Sequence, residues 1–311
     1  MSTILSNRVQ KVKPSATMAV SDKAKELKSQ GIQIISMGSG EPDFDTPVNI
    51  QKAAITAIGS GDTRYTPADG TAELKKAVCE KFKRENGLDY SLNEVMVSCG
   101  GKQVFYNLCQ AILNEGDEVI IPTPYWVSYP DMAILADATP VFIEAGLEQD
   151  FKITPDQLEA SITNKSKLFV LNSPSNPTGS VYSESEIKAL GEVLKKYPHV
   201  LTISDDIYEH IRWSDDDFVN IAMACPELKD RVVILNGVSK AYAMTGWRIG
   251  YAAGPETVIK AMKKIQGQST SNPSSISQAA ALEAVSGDQS FISMMVEAFE
   301  RRHEFLVDSL N

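Results

Sequence analysis

Short apolar runs recur along the middle of the chain, separated by segments with helical spacing. The runs are rich in β-branched residues and apolar on both sides, which is typical of strands covered by helices on both faces. They are Glu94–Ser98, Glu118–Ile121, Thr139–Phe142, Lys167–Leu171, Val200–Ser204, Arg231–Leu235 and Arg248–Ala252. Helix-spaced segments lie between them at Lys102–Asn114, Pro124–Ala136, Thr154–Ile162 and Glu184–Tyr197. This alternation predicts an α/β fold with a mostly parallel seven-stranded sheet.

The flanking regions are helical. The pattern predicts an amphipathic helix over Ala16–Gln30 that ends at Gly31. Three further helices are predicted after the strands, at Glu256–Ile265, Ser275–Ala284 and Gln289–Leu310. We therefore expect an N-terminal arm and part of a small domain in residues 1–45, a large domain in 46–285, and the start of an interdomain helix in 286–311. Since the chain stops at Asn311 inside a helical pattern, we expect the C-terminal part of the small domain to be missing.

Composition narrows the class of partner. The formal net charge of the chain is −10. Binding to nucleic acids or to anionic membranes normally requires a basic surface, so a small-molecule ligand is favoured. The four cysteines form no CxxC pair and the three histidines are not spaced as metal ligands, so no metal site is predicted. The N-terminus lacks the apolar run of a signal peptide and no long apolar stretch occurs, which favours a cytoplasmic protein.

Chemically unusual residues follow several predicted strands. Gly100-Gly101-Lys102 comes after the strand that ends at Ser98, where a helix N-terminus can bind an anion; a plain turn would look the same. The turn-rich segment from Asn172 to Gly179 either orients Asn176 or simply connects two elements.

Two further strands end in charged motifs. Asp205 either finds a cationic partner at the sheet edge or caps a helix. Lys240 lies among small residues, and Arg248 follows eight positions later. A partly desolvated lysine amine can attack an aldehyde, and an arginine fork suits phosphate oxygens.

Together these motifs resemble the class I aminotransferases of fold type I. The resemblance is carried by Gly40-Glu-Pro-Asp-Phe-Asp-Thr-Pro47, Asn172-Ser-Pro-Ser-Asn-Pro-Thr-Gly179, Ser204-Asp-Asp-Ile-Tyr-Glu209 and the stretch from Ser239 to Tyr251 with Met244-Thr-Gly-Trp-Arg248. Their order and spacing match the family along nearly the whole chain. The N-terminal stretch from Arg8 to Val20 looks like the bacterial subgroup of aspartate and bifunctional aspartate/prephenate aminotransferases, in which a lysine at the position of Lys13 is associated with dicarboxylate substrates. Lys13 could equally be a surface charge.

The resemblance implies a pyridoxal 5'-phosphate cofactor and a role for each matched residue. It implies that Lys240 holds the cofactor covalently and moves the substrate proton, that Asp205 pairs with the ring nitrogen, and that Tyr208 and Asn176 hydrogen-bond the ring oxygen. It further implies that Trp126 stacks on the ring.

The resemblance also implies how the phosphate and the substrate are bound. The phosphate would be held by Gly101, Lys102, Arg248 and Ser239. Many relatives carry a phosphate-binding serine at the position of Gly237, and Ser239 or water would replace its hydrogen bond. The substrate would be contacted by Gly40, Trp126, Asn176 and Lys13. Tyr65 matches a tyrosine that reaches the phosphate of a neighbouring subunit, which implies a homodimer with shared sites.

The implied reaction transfers the amino group of aspartate or glutamate to a 2-oxo acid such as 2-oxoglutarate or oxaloacetate, with prephenate as a further acceptor. Aromatic transamination and β-elimination from a cysteine conjugate use the same motifs and stay open, as does an inactive incomplete chain, because the family arginine that grips the substrate α-carboxylate lies beyond these 311 residues. A pyridoxal-phosphate-binding regulatory module is disfavoured, since only a short arm precedes Lys13.

Overall fold

The computed structural model describes residues 4–14, 16–35, 37–38, 40–214 and 216–311. Within them a seven-stranded sheet has the order β1-β7-β6-β5-β4-β2-β3. The strands are β1 (Val95–Ser98), β2 (Glu118–Thr123), β3 (Thr139–Glu144), β4 (Ser166–Asn172), β5 (Leu201–Asp205), β6 (Val232–Gly237) and β7 (Gly250–Ala253). Each coincides, to within two residues at either end, with one of the predicted strands.

The sheet is mostly parallel, as predicted. Strands β3, β2, β4, β5 and β6 pair in parallel, whereas β7 runs antiparallel to both β6 and β1. The parallel pairs are joined by connections that contain helices, since a parallel crossover needs at least a dozen residues. The segment between β6 and β7 holds only a short 3₁₀ turn at Thr245–Trp247, so the chain returns directly alongside β6.

Helices flank the sheet and precede and follow it in the chain. They are α1 (Asn7–Lys11), α2 (Ala16–Ser29), α3 (Val48–Gly59), α4 (Ala72–Asn86), α5 (Gly101–Ile112), α6 (Ser128–Leu135), α7 (Pro155–Ser161), α8 (Glu184–Lys196), α9 (Ile221–Ala224), α10 (Glu256–Ser269), α11 (Ser275–Ser286) and α12 (Ser290–Leu310). The domain boundaries near residues 45 and 285 stay predictions.

Both faces of the sheet are covered by packed side chains. Successive side chains of each strand point to opposite faces and therefore belong to different buried clusters. On β4, Phe169 and Leu171 pack in one buried cluster, whereas Leu168 and Val170 pack in the other. On β1, Met96 is separated from its two neighbours in the same way. Because the strands are buried on both faces, the strand segments of the sequence are apolar at nearly every position.

Some predicted boundaries were wrong. The helix predicted from Pro124 begins only at Ser128, because β2 continues to Thr123 and the next four residues form a connection. The last strand begins at Gly250 instead of Arg248, which has a left-handed φ of 55° that a strand cannot hold. Helices α3 and α4 were not predicted. Along the described residues, no helix is both long and apolar enough to cross a bilayer.

Candidate active site

The motif-bearing strand ends meet at one edge of the sheet. In the pairing register Asn172 of β4 lies beside Asp205 of β5, which in turn lies beside Leu235 of β6. A pocket of about 210 Å³ opens at this edge. Nine of the predicted site residues line it: Gly101, Lys102, Trp126, Asn176, Asp205, Tyr208, Ser239, Lys240 and Arg248.

Asp205 is a buried carboxylate at the wall of the pocket. Its Oδ2 accepts a 2.6 Å hydrogen bond from the hydroxyl of Tyr129, and its Oδ1 accepts one of 3.3 Å from the amide of Ile207. Burial raises the pKa of Asp205 to about 6, although both hydrogen bonds favour the charged form. A cation placed in the pocket would restore full ionisation, so this wall is suited to a protonated nitrogen.

Tyr208 and Asn176 lie close to Asp205 on the same wall. Burial, followed by the charge of Asp205, raises the pKa of Tyr208 to about 12, so the phenol is neutral and can donate a hydrogen bond. Asn172 fixes this corner: its Oδ1 accepts from the Asn176 amide at 2.8 Å, and its Nδ2 donates to the Asp205 carbonyl at 2.9 Å.

Lys240 is half-buried at the pocket. Its Nζ donates to the carbonyl of Gly40 and lies 5.8 Å from the ring centroid of Tyr208. Burial lowers the pKa of Lys240; Arg248 acts in the same direction and Glu41 opposes both. A lowered pKa increases the fraction of neutral amine, which is the form that attacks a carbonyl carbon.

Another part of the pocket lining is suited to an anion. Helix α5 begins at Gly101, and the amides of Gly101 and Lys102 precede its first backbone hydrogen bond, which Gln103 donates to the Gly100 carbonyl at 3.0 Å. Gly100 has a φ of 89°, and a Cβ there would lie 2.3 Å from Nη2 of Arg248. Gly250 is packed just as tightly, because a Cβ there would lie 2.4 Å from the Gly101 amide nitrogen. These glycines let the guanidinium and the helix N-terminus face the same space.

Trp126 and Lys102 form the remaining side. The Trp126 ring packs edge-on against Tyr129, with 5.2 Å between centroids, and the Lys102 ammonium lies 5.1 Å from the Trp126 centroid. The indole therefore offers a flat apolar surface to the pocket, held in place by both neighbours.

The three other predicted site residues lie outside the 210 Å³ pocket. Gly40 lines a wider cleft of about 1100 Å³ that adjoins it and shares Lys240, Trp126 and Asn176. Tyr65 is 92% exposed and lines neither cavity. Lys13 is exposed just after α1 and also lies outside both.

Sequence reasoning missed Tyr129, Asn172 as a hydrogen-bonding residue, and Thr245. Tyr129 stands three positions after Trp126 within the helix that the sequence predicts from Pro124, and that spacing would have put both side chains on one helical face. Thr245 lines the pocket and accepts from Nη1 of Arg248 through its carbonyl at 2.8 Å. The sequence of the Met-Thr-Gly-Trp-Arg motif does not predict that contact.

The chain belongs to the class I and II aminotransferase family, whose profile matches residues 32–311. Among named relatives it is 60% identical over 307 residues to the aspartate/prephenate aminotransferase of Nitrosomonas europaea, covering 99% of this chain and 77% of that protein. It is 58% identical over 307 residues to the corresponding enzyme of Cereibacter sphaeroides, with the same coverage.

Solved structures give the same family. The aspartate aminotransferase of Rhizobium meliloti superposes with a TM-score of 0.96 at 48% identity, over 99% of this chain and 77% of that one. The aspartate aminotransferase of Thermus thermophilus, solved with maleate, gives a TM-score of 0.95 at 44% identity, over 99% of this chain and 80% of that one. The family and the fold type expected from the motifs are confirmed.

Proposed function

We propose that this protein is a pyridoxal-phosphate-dependent aminotransferase that takes the amino group of aspartate or glutamate and delivers it to a 2-oxo acid, with prephenate among its acceptors. One observation carries the proposal: a half-buried lysine amine, a buried carboxylate and an anion-binding helix N-terminus with an arginine line one pocket of about 210 Å³. The named relatives at 60% and 58% identity support the substrate assignment.

The pocket fits the cofactor at each of its polar ends. The amides of Gly101 and Lys102, with Arg248 and Ser239, would hold the phosphate. Asp205 would face the ring nitrogen, since none of the described residues gives it a cationic partner. A buried carboxylate with a raised pKa and a guanidinium that approaches a glycine backbone closely are both typical of ligand sites.

Pyridoxal phosphate, when bound, supplies an electron-withdrawing ring that stabilises negative charge at the substrate Cα. The protein supplies the rest. Asp205 would keep the ring nitrogen protonated, and Tyr208 and Asn176 would hydrogen-bond the ring oxygen. The Lys240 Nζ would hold the cofactor through its aldehyde carbon between reactions. Once released, the same amine would take the proton from the substrate Cα and deliver it to the former aldehyde carbon of the cofactor. Trp126 would cover one face of the ring and exclude water from it.

Substrate carboxylates would be bound in the adjoining cleft. Gly40, Trp126 and Asn176 line this cleft together with Lys240. Lys13 is exposed and lines neither cavity of this subunit, so its proposed role in recognising the second carboxylate of a dicarboxylate substrate rests on the family resemblance. The structure of the Thermus relative contains such a dicarboxylate, maleate.

Tyr65 would act across a homodimer. It stands 92% exposed on a loop that is fixed from behind, since Gln278 donates to Thr66 at 3.0 Å and Lys75 pairs with buried Asp69 at 2.6 Å. Subunit mixing tests this: Lys240→Ala and Tyr65→Ala variants should each be impaired, and an equal mixture should recover roughly a quarter of wild-type activity by random pairing. No recovery on mixing speaks against shared sites.

The reaction itself is tested with purified protein and pyridoxal phosphate. We expect aspartate or glutamate to convert the bound cofactor to its amino form, and prephenate or 2-oxoglutarate to convert it back. Phenylalanine and a cysteine conjugate are the comparison substrates. Faster turnover of phenylalanine would favour an aromatic aminotransferase, and release of pyruvate and ammonia from the conjugate would favour a β-lyase.

A further inference from the structure

The turn that holds Asp205 and Tyr208 has a second, buried side. Asp205 and Tyr208 face the pocket, whereas Asp206 and Glu209 are 1% and 5% exposed and do not line it. Asp206 is satisfied locally, because Ser204 donates to its Oδ1 at 2.6 Å and Asn220 donates to its Oδ2 at 2.7 Å. Glu209 has instead a partner far away in the chain.

That partner is Lys81 of α4, whose side chain is fully buried. Lys81 forms an ion pair with Glu209 and also donates to Asn86 at 3.0 Å. The Glu209 carboxylate accepts from Asn86 at 3.1 Å and from Asn236 of β6 at 2.8 Å. We call Lys81, Asn86, Glu209 and Asn236 the rear cluster.

The remaining charged groups around Lys81 come from α4 and from the turn. Glu85 lies 3.4 Å from the Lys81 ammonium, and the His210 ring lies 3.0 Å from Glu85 and 3.7 Å from Glu209. Burial would raise the pKa of Glu85, but its hydrogen bond to His210 and the charge of Lys81 lower it to about 2. Although Glu85, Glu209 and His210 lie close enough to hold a metal ion, the ammonium of Lys81 already supplies the cation there.

The rear cluster joins the elements that deliver the proposed site residues. Glu209 directly follows Tyr208, and Asn236 comes four residues before Lys240 and fixes the Gly237 amide at 2.7 Å. A buried ion pair is a weak source of stability, because desolvation offsets most of its attraction, and well-packed apolar residues can replace it. Its strict geometry is better suited to fixing the relative position of α4, the turn and β6.

We propose that Lys81 is a positioning residue for this active site: through Glu209 and Asn236 it sets the alignment of Asp205 and Tyr208 with Lys240. The inference rests on the proposed function. It extends that function to a residue on the far side of the turn, which lines neither of the two cavities at the site.

The test compares Lys81→Met with Arg231→Met. Arg231 is a matched control, since it lies just before the opposite end of β6 and donates to the carbonyls of Leu194, Tyr197 and Val200, far from the pocket edge. Three quantities are measured: the thermal unfolding of the cofactor-free protein, the dissociation constant of pyridoxal phosphate, and the pH midpoint of the bound cofactor's visible absorbance.

Both variants should unfold at lower temperature. Only Lys81→Met should weaken cofactor binding, on the order of ten-fold, and displace the pH midpoint, because misaligned groups lose interaction with the bound cofactor. A Lys81→Met protein with the wild-type dissociation constant and midpoint overturns the proposal.

A double variant, Lys81→Met with Glu209→Gln, keeps the test usable if the single variant fails to fold. It removes both charges of the Lys81–Glu209 pair, so stability should recover while cofactor binding and the midpoint stay displaced. Recovery of all three quantities would show that the pair matters only for folding. If the wild-type protein itself binds no pyridoxal phosphate, the proposed function fails instead, which is a separate result.

Discussion

The hydroxyl of Tyr129 donates a 2.6 Å hydrogen bond to Oδ2 of Asp205, and both side chains are buried. Tyr129 therefore stabilises the charged form of the carboxylate that we assign to the ring nitrogen. The bond also fixes the orientation of the carboxylate. Tyr129 holds Oδ2, and the Ile207 amide holds Oδ1.

Replacing Tyr129 with Phe should remove this support without opening a cavity. A hydrogen bond to a charged group contributes about 1.5–3 kcal/mol, so we expect kcat to fall about ten-fold or more and the acid limb of the pH–rate profile to move to higher pH. Tyr90→Phe is the control, since the Tyr90 hydroxyl is buried and has no hydrogen-bond partner among the described residues. Equal effects of the two substitutions would remove the role given to Tyr129.

Asp205→Asn should stabilise the cofactor-free protein in a pH-dependent way. Folding raises the pKa of Asp205 from 3.8 to about 6, so the stability it contributes is fully present below 3.8 and is lost as the pH rises through about 6. The variant should gain about 3 kcal/mol over wild type at pH 8 and well under 1 kcal/mol at about pH 4. Urea unfolding of both proteins across this range measures the difference.

The same substitution should abolish transamination, because an amide cannot keep the ring nitrogen protonated. Asp230→Asn, at an exposed position, is expected to change neither quantity. A stability difference between Asp205→Asn and wild type that does not vary with pH would contradict the assignment.

Lys240→Ala should eliminate the covalent link and hence the visible absorbance of the linked cofactor. Activity should become undetectable, since the same amine moves the proton at Cα. Lys264→Ala, which removes an exposed lysine on α10, should leave absorbance and activity at wild-type levels. Transamination by the Lys240→Ala protein at the wild-type rate would refute the role proposed for Lys240.

Lys13→Ala tests substrate choice. If Lys13 binds the second carboxylate, kcat/KM for aspartate and glutamate should fall about ten-fold or more, as for the loss of one charged hydrogen bond, while phenylalanine is unaffected. Lys11→Ala, at the end of α1, is the neighbouring control. An equal loss with every substrate would mean that Lys13 acts on folding or on assembly.

The sequence predicts the sheet well because strands buried on both faces are apolar at every position. It predicts boundaries less well where a single residue leaves the regular conformation, as at Arg248, which has a positive φ and a guanidinium that approaches Gly100 closely. Helix α4 was missed although Thr71 caps its start and Gly87 its end, because its middle is dominated by charged residues.

The pocket residues were found because each follows a strand, whereas the supporting residues were not. Nothing near Lys81 in the sequence indicates Glu209, which lies 128 positions away. Strand order cannot be read from apolar runs either, so the adjacency of Asn172 and Asp205 came only from the pairing register.

The reversed direction of β7 has a consequence for how the site tolerates change in length. A strand running against its neighbours starts at the edge where they finish. The twelve residues between Gly237 and Gly250 therefore place in a single loop both Lys240 and Arg248, to which we assign the cofactor's aldehyde and its phosphate. An insertion there would shift both groups at once, whereas one in the crossover between β4 and β5, beyond Gly179, would leave each in place.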